Sequence, residues 1–188
     1  MNRYLLILGA GIYQLPIIKK ARERNIKTIV ASPKGNFPGI KYADKYWEVD
    51  LRNSNKILNY CKEEELYGVI TSGSDICMPT LGKVVDSFGL IGPSFIASRN
   101  TTNKIFMKTI FKKNKIPTSQ FIVIENYEEA NIAAQKIGYP VMIKAADSSG
   151  SRGITKVNNK NKLFSAWKSA KKITNQKKII VEKFIDGK

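Results

Sequence analysis

The residues best equipped for chemistry run from Lys144 to Gly153 and read Lys-Ala-Ala-Asp-Ser-Ser-Gly-Ser-Arg-Gly. Tyr139–Ile143 before them has strand propensity, and Ile154–Val157 after them alternates like a second strand. A lysine thus closes one strand, and small residues lead to the next. Such residues let backbone N–H groups approach an anion, and glycine accepts the backbone angles required. Lys144 and Arg152 add positive charge, so the stretch fits a flap over phosphates. It is not a P-loop, because no Gly-Lys-Ser/Thr and no helix follow the glycines. An ordinary hairpin turn uses the same residues and remains open on the loop alone.

A second candidate is Gly9-Ala10-Gly11, between an apolar strand and a helical stretch. It resembles a dinucleotide fingerprint, with two departures. Gln14 stands where a third Gly or Ala belongs, and the next strand ends in Ala31-Ser32-Pro33 with no acid for a ribose. Tight strand-to-helix packing accounts for the glycines, which disfavours an NAD-dependent oxidoreductase. A third candidate is Ser72-Gly73-Ser74-Asp75, at the end of another apolar strand. Ligands of open parallel sheets gather at such carboxyl ends. Gly11, Ser72, Gly73, Ser74 and Asp75 therefore form a candidate substrate rim, with Asp75 also fitting as an N-cap of a helix over 76–88.

These sites need elements to hold them. Strands are expected at 4–9, 26–32, 44–49 and 68–71, with helices at 13–24, 54–65 and 76–88, a βαβ-type domain over residues 1–93. One helix over 98–114, capped by Asn100, Thr101 or Thr102, places Lys104 and Lys108 on one face. It belongs to a linking segment over 94–116. Residues 117–188 carry a strand at 120–124, a helix at 127–137 ending at Gly138, the loop with its two strands, a helix at about 160–173 and a strand at 177–182.

Composition narrows the function classes. The 188 residues are 43% apolar, enough for one or two packed domains. No run approaches the roughly 20 apolar residues of a membrane span, and Tyr4–Gly9 fits a buried strand better than a signal peptide. Two cysteines and no histidine exclude the common zinc sites and suit a reducing cytoplasm. The net charge of +17 divides into +4 for residues 1–93 and +13 for residues 94–188. The excess thus lies with the candidate phosphate loop. No nucleic-acid motif is visible and the lysines are not interleaved with stacking aromatics, which disfavours DNA or RNA.

Three features in order resemble the ATP-grasp superfamily. They are the opening domain ending Ile91-Gly92-Pro93-Ser94; Asn103-Lys104-Ile105-Phe106-Met107-Lys108 followed by Asn114-Lys115-Ile116-Pro117-Thr118; and Gly138–Lys144, the serine–glycine loop and Val181–Gly187. The nearest branch is that of biotin carboxylase, the carbamoyl phosphate synthase large subunit and the purine-pathway ligases. The resemblance implies an α/β fold: a Rossmann-like parallel-sheet domain, then a small α+β lid subdomain. It implies ATP contacts at Lys104 and Lys144 with the phosphates, and Ser148, Ser149, Gly150, Ser151, Arg152 and Gly153 as the flap. Met142 and Ile154 would wall the adenine. Glu182, Lys183 and Ile185 would form the hinge, with Glu182 accepting from the exocyclic amine. The activity implied is ATP-dependent joining of a small carboxylate to an amine through an acyl phosphate, with a homodimer as the assembly to test for. A nucleotide-binding module without catalysis stays open. The family's second lobe, which supplies magnesium ligands and the reaction-centre base, has no counterpart before Lys188. The resemblance therefore implies either a partial chain or one that works with a partner, inactive by itself, with Mg2+ ligands elsewhere and catalytic residues unassigned.

Overall fold

The computed structural model describes residues 3–187. The chain divides into two compact units, residues 1–102 and 103–188.

In the first unit, strands β1 (Tyr4–Leu8), β2 (Thr28–Ser32), β3 (Lys45–Glu48) and β4 (Leu66–Ile70) form one parallel sheet in the order β3-β2-β1-β4. The two central strands are continuous apolar runs because both faces are covered. Leu6, Leu8, Ile29 and Ala31 pack with Ile57 of helix α2 (Ser54–Cys61) and with Leu81 and Val84 of α3 (Met78–Phe88). Ile7 and Val30 pack on the other side with Ile18 of α1 (Leu15–Glu23). Each fully buried Leu or Ile contributes about 1.5–3 kcal/mol. Helix α4 (Phe95–Thr102) completes the unit against α3.

In the second unit, β5 (Phe121–Ile124), β6 (Val141–Ala145), β7 (Ile154–Val157) and β8 (Ile179–Lys183) form an antiparallel sheet in the order β5-β8-β6-β7. One face is covered by α6 (Tyr127–Ile137) and α7 (Leu163–Ile173), whose Ala133, Ala134, Ala166 and Ala170 are buried with Val141, Ile143, Ala145 and Val181. Side chains alternate along a strand, so Met142, Lys144 and Glu182 must face the other way.

Two expectations change here. The stretch 98–114 is not one helix. Helix α5 (Lys104–Lys113) starts afresh at Asn103, which has extended backbone and whose side chain accepts from the N–H groups of Ile105 and Phe106. An asparagine that caps cannot also continue a helix. Asp75 is likewise no side-chain cap. Helix α3 begins later, at Met78 after Cys77, without a side-chain cap, and Asp75 supplies only its carbonyl to Met78 N at 3.1 Å. Residues 160–162 form a 3-10 turn ahead of α7.

Candidate functional site

The outward face of the second sheet carries an ionic cluster. Met142 pairs with Glu182 across β6 and β8, and Lys144 lies two residues along the same face. Lys144 Nζ sits 2.9 Å from Glu182 Oε2, and Lys108 Nζ lies 3.2 Å from Glu182 Oε1. Ser119 Oγ donates to the same Oε1. The Glu182 side chain is 12% exposed and that of Lys108 is 7% exposed. Lys108 comes from α5, one turn after Lys104, and spends its three N–H donors on Thr118 Oγ1 at 2.7 Å, Ser119 Oγ at 3.0 Å and the carboxylate. Its ammonium also lies 5.3 Å from the Phe121 ring centroid.

The electrostatics of Glu182 are a contest. Burial pushes its carboxyl up. Hydrogen bonds from Ser119 and Lys144, with the charges of Lys144 and Lys108, outweigh that and hold it below the ordinary value. The group is ionised at neutral pH and acts as an acceptor.

The serine–glycine loop is tied at its root. Lys104 N donates to Ala146 O at 2.9 Å, and Lys104 Nζ donates to Ser148 O at 2.5 Å. Asp147 accepts from Thr174 Oγ1 at 2.6 Å and from Asn175 N at 3.1 Å. Ser148 Oγ donates to Arg152 O at 2.6 Å, and Arg152 Nε to Ser149 O at 3.2 Å. Gly150, Ser151 and Gly153 take left-handed φ of 63°, 59° and 66°. At Gly153 a Cβ would fall 2.9 Å from Ala145 Cβ, so only glycine lets the loop return this close to β6.

Of the other candidates, Met142 and Ile154 lie on the same face as Lys144 by register. Lys183 turns its ammonium the other way, to Gly138 O at 2.9 Å. Ile185 is 67% exposed. The sequence puts Lys108 beside Lys104 and Asp147 in the loop without a role for either, and nothing in it singles out Ser119. A lysine four residues from another on an apolar helix face was the available signal for Lys108.

In the first unit, Gln14 is only 6% exposed and fills the Gly9–Gly11 turn. Its Oε1 accepts from Gly11 N at 3.1 Å, its Nε2 donates to Ser72 O, and a Cβ on Gly9 would fall 2.8 Å from its Cδ. The amide thus packs directly against the turn. On the candidate rim, Ser72 Oγ donates to Tyr13 O at 2.6 Å, and Gly73 and Asp75 are exposed. Two concavities of about 510 Å³ lie elsewhere, one around Phe37 and one lined by Phe106, Glu125 and Lys178; neither includes Lys144 or Glu182.

Residues 100–188 match the family model described as carbamoyl-phosphate synthase L chain, ATP binding domain. Over those residues the chain belongs to the ATP-grasp superfamily. This ATP-grasp chain is 25% identical over 185 residues to formate-dependent phosphoribosylglycinamide formyltransferase of Prochlorococcus marinus subsp. pastoris, covering 97% of the chain and 47% of the relative. It superposes on phosphoribosylglycinamide synthetase from Anaerococcus prevotii with a TM-score of 0.71 at 30% identity, covering 100% of this chain and 47% of that one. N5-carboxyaminoimidazole synthetase from Staphylococcus aureus, complexed with ADP, shares the fold with a TM-score of 0.81 at 17% identity, over 100% of this chain and 49% of that one. The ATP-grasp chain spans about half the length of the curated relatives it matches. No helix among the described residues is long and apolar enough to cross a membrane.

Proposed function

We propose that the outward face of the second sheet binds ATP within a carboxylate–amine ligase. The observation that carries this reading is the pairing of Lys144 with Glu182, 2.9 Å apart on a face whose neighbouring loop is anchored by Lys104. Lysines 104 and 144 would take the phosphate oxygens, with the loop 148–153 folding over them. Met142 and Ile154 would flank the base. Glu182 Oε1 already receives Ser119 and Lys108, while Oε2 receives Lys144. A carboxylate oxygen accepts about two hydrogen bonds, so Oε2 has a position for the exocyclic amine of adenine. Guanine would present a carbonyl there and be repelled.

In the whole protein, the γ-phosphoryl group of ATP would pass to a carboxylate oxygen and release ADP. The amine nitrogen would then attack the acyl carbon and expel phosphate. Lysine charge would stabilise the transferring group. Among the described residues no cluster of three or more acidic, His or Cys side chains could hold a metal ion. The rim at Gly11 and Ser72–Asp75 is the proposed substrate contact. Two free, buried thiols fit a cytoplasmic setting, and size-exclusion chromatography reads the expected homodimer.

Calorimetry on the full translated protein tests the reading. ATP should bind saturably, GTP more weakly, and Lys144→Met should cost about tenfold or more in ATP affinity. Absence of ATP binding, or a Lys144→Met variant with wild-type affinity, overturns it. Binding without phosphate release in the presence of carboxylates and amines would instead make the protein a nucleotide-binding module.

A further inference from the structure

We infer that Lys108 is a positioning residue: it is the fixed counter-ion of Glu182, and this leaves Lys144 able to turn from that carboxylate to a nucleotide phosphate. The inference rests on the ATP reading above.

Glu182 faces two ammonium groups, and their surroundings differ. The side chain of Lys108 is 7% exposed, and its three donors are matched by the Thr118 hydroxyl, the Ser119 hydroxyl and Glu182 Oε1. Among the described residues it is the only charged side chain that is buried. Ser119 closes the arrangement, accepting from Lys108 and donating to the same carboxylate oxygen. Nothing in that triangle has a donor to spare.

Lys144 is different. It is 22% exposed, it meets the other carboxylate oxygen, and it stands on β6 one residue before the strand gives way to the loop. A nucleotide that draws Lys144 to its phosphates removes one of the two cations from a carboxylate that is itself 12% exposed. With Lys108 and Ser119 in place, Glu182 stays compensated and keeps its acceptor role toward the base. Without Lys108, releasing Lys144 would strand a buried carboxylate, which is costly. Lys144 would then stay on Glu182, and the phosphates would lose a ligand. Lys108 therefore acts on the phosphate end of the ligand through two intervening groups, touching neither base nor phosphate.

The readout is the ratio of adenosine to ATP dissociation constants, measured by calorimetry on the full translated protein. Both ligands carry the base, and only ATP carries phosphates. Lys108→Met should lower that ratio by about tenfold or more, the scale of one charge-assisted hydrogen bond. Lys108→Arg should hold it within about threefold. The double variant Lys108→Met with Glu182→Gln should recover it, because no carboxylate remains to retain Lys144. That double variant leaves no lone buried charge, so it answers the question even where Lys108→Met alone does not fold. Equal losses for ATP and adenosine in Lys108→Met would mean that Lys108 only supports packing, and would overturn the inference. So would a double variant whose ratio stays depressed. A wild-type protein with no preference for ATP over adenosine would overturn the ATP reading itself, and this inference with it.

Discussion

Replacing Glu182 by alanine should destabilise the second unit far more than replacing it by glutamine. In the native cluster the Lys108 ammonium, on a side chain 7% exposed, is neutralised by Glu182 at 3.2 Å. Alanine removes the carboxylate beside it and leaves the charge with two hydroxyl partners. Breaking a buried ion pair from one side costs about 3–5 kcal/mol. Thr118, Ser119 and the Phe121 ring soften the loss, so about 3 kcal/mol is expected. Glutamine keeps the shape and one acceptor oxygen, and should cost about 1–2 kcal/mol. For a unit of this size, each kcal/mol moves the melting temperature by about 4–8 °C, so Glu182→Ala should melt about 12–24 °C lower. The measurement is direct because each unit holds one of the two tryptophans, Trp47 and Trp167. With Trp47→Phe as the background, urea unfolding followed by Trp167 fluorescence reports the second unit alone. A double variant, Lys108→Met with Glu182→Leu, should lie within about 1 kcal/mol of the parent, since a buried pair replaced by apolar groups is often neutral. The reasoning fails if Glu182→Ala loses less than about 1 kcal/mol, or if the double variant loses the sum of the two singles.

Acid should act at the same place. The Glu182 carboxyl is held below its unfolded value near 4.5, so its contribution is complete above that pH and is lost as pH falls through the lower folded value. The urea midpoint of the second unit should therefore drop steeply below pH 4.5 in the wild type and less in Glu182→Gln. Burial pushes the Cys61 thiol up to about 12, and both Cys61 and Cys77 are fully buried. An aromatic disulfide reagent should find no fast thiol in the native protein and both in urea. Gly153→Ala should cost about 1–3 kcal/mol by thermal melting, because its left-handed φ coincides with a Cβ position 2.9 Å from Ala145. Gly150→Ala, at φ 63° but with no atom within 4 Å, should cost less.

Much of the fold was legible because burial writes itself into periodicity. The apolar run Tyr4–Gly9 reads as a buried strand, and β1 (Tyr4–Leu8) lies there, whereas only the β6–β8 register puts Glu182 on the face of Met142 and Lys144. What escaped were two local helix starts and the contacts that depend on side-chain reach between distant segments. Asn103 looked like one more residue of a helix, since nothing local distinguishes a polar residue inside a helix from one that restarts it. Asp75 satisfied the composition rule for a cap, yet α3 begins three residues later, at Met78. Lys108 resembled a solvated lysine among many in a chain of net charge +17. Only the fold brings Ser119 and Glu182, 63 positions apart, to its ammonium. Gln14 is the converse case. Its departure from the glycine pattern was visible, but not that the side chain would fold back into the turn it interrupts.

The moorings of Asp147 to Thr174 and Asn175, and of Ser148 to Lys104, have a thermodynamic corollary. Immobilising backbone costs roughly 1–2 kcal/mol per residue. With the approach to the loop already fixed by the folded chain, the anion proposed to bind there would have only the short tip around Gly150 left to order. The cost would be a handful of kcal/mol instead of that for the whole ten-residue excursion, and a few hydrogen bonds to phosphate oxygens would offset it.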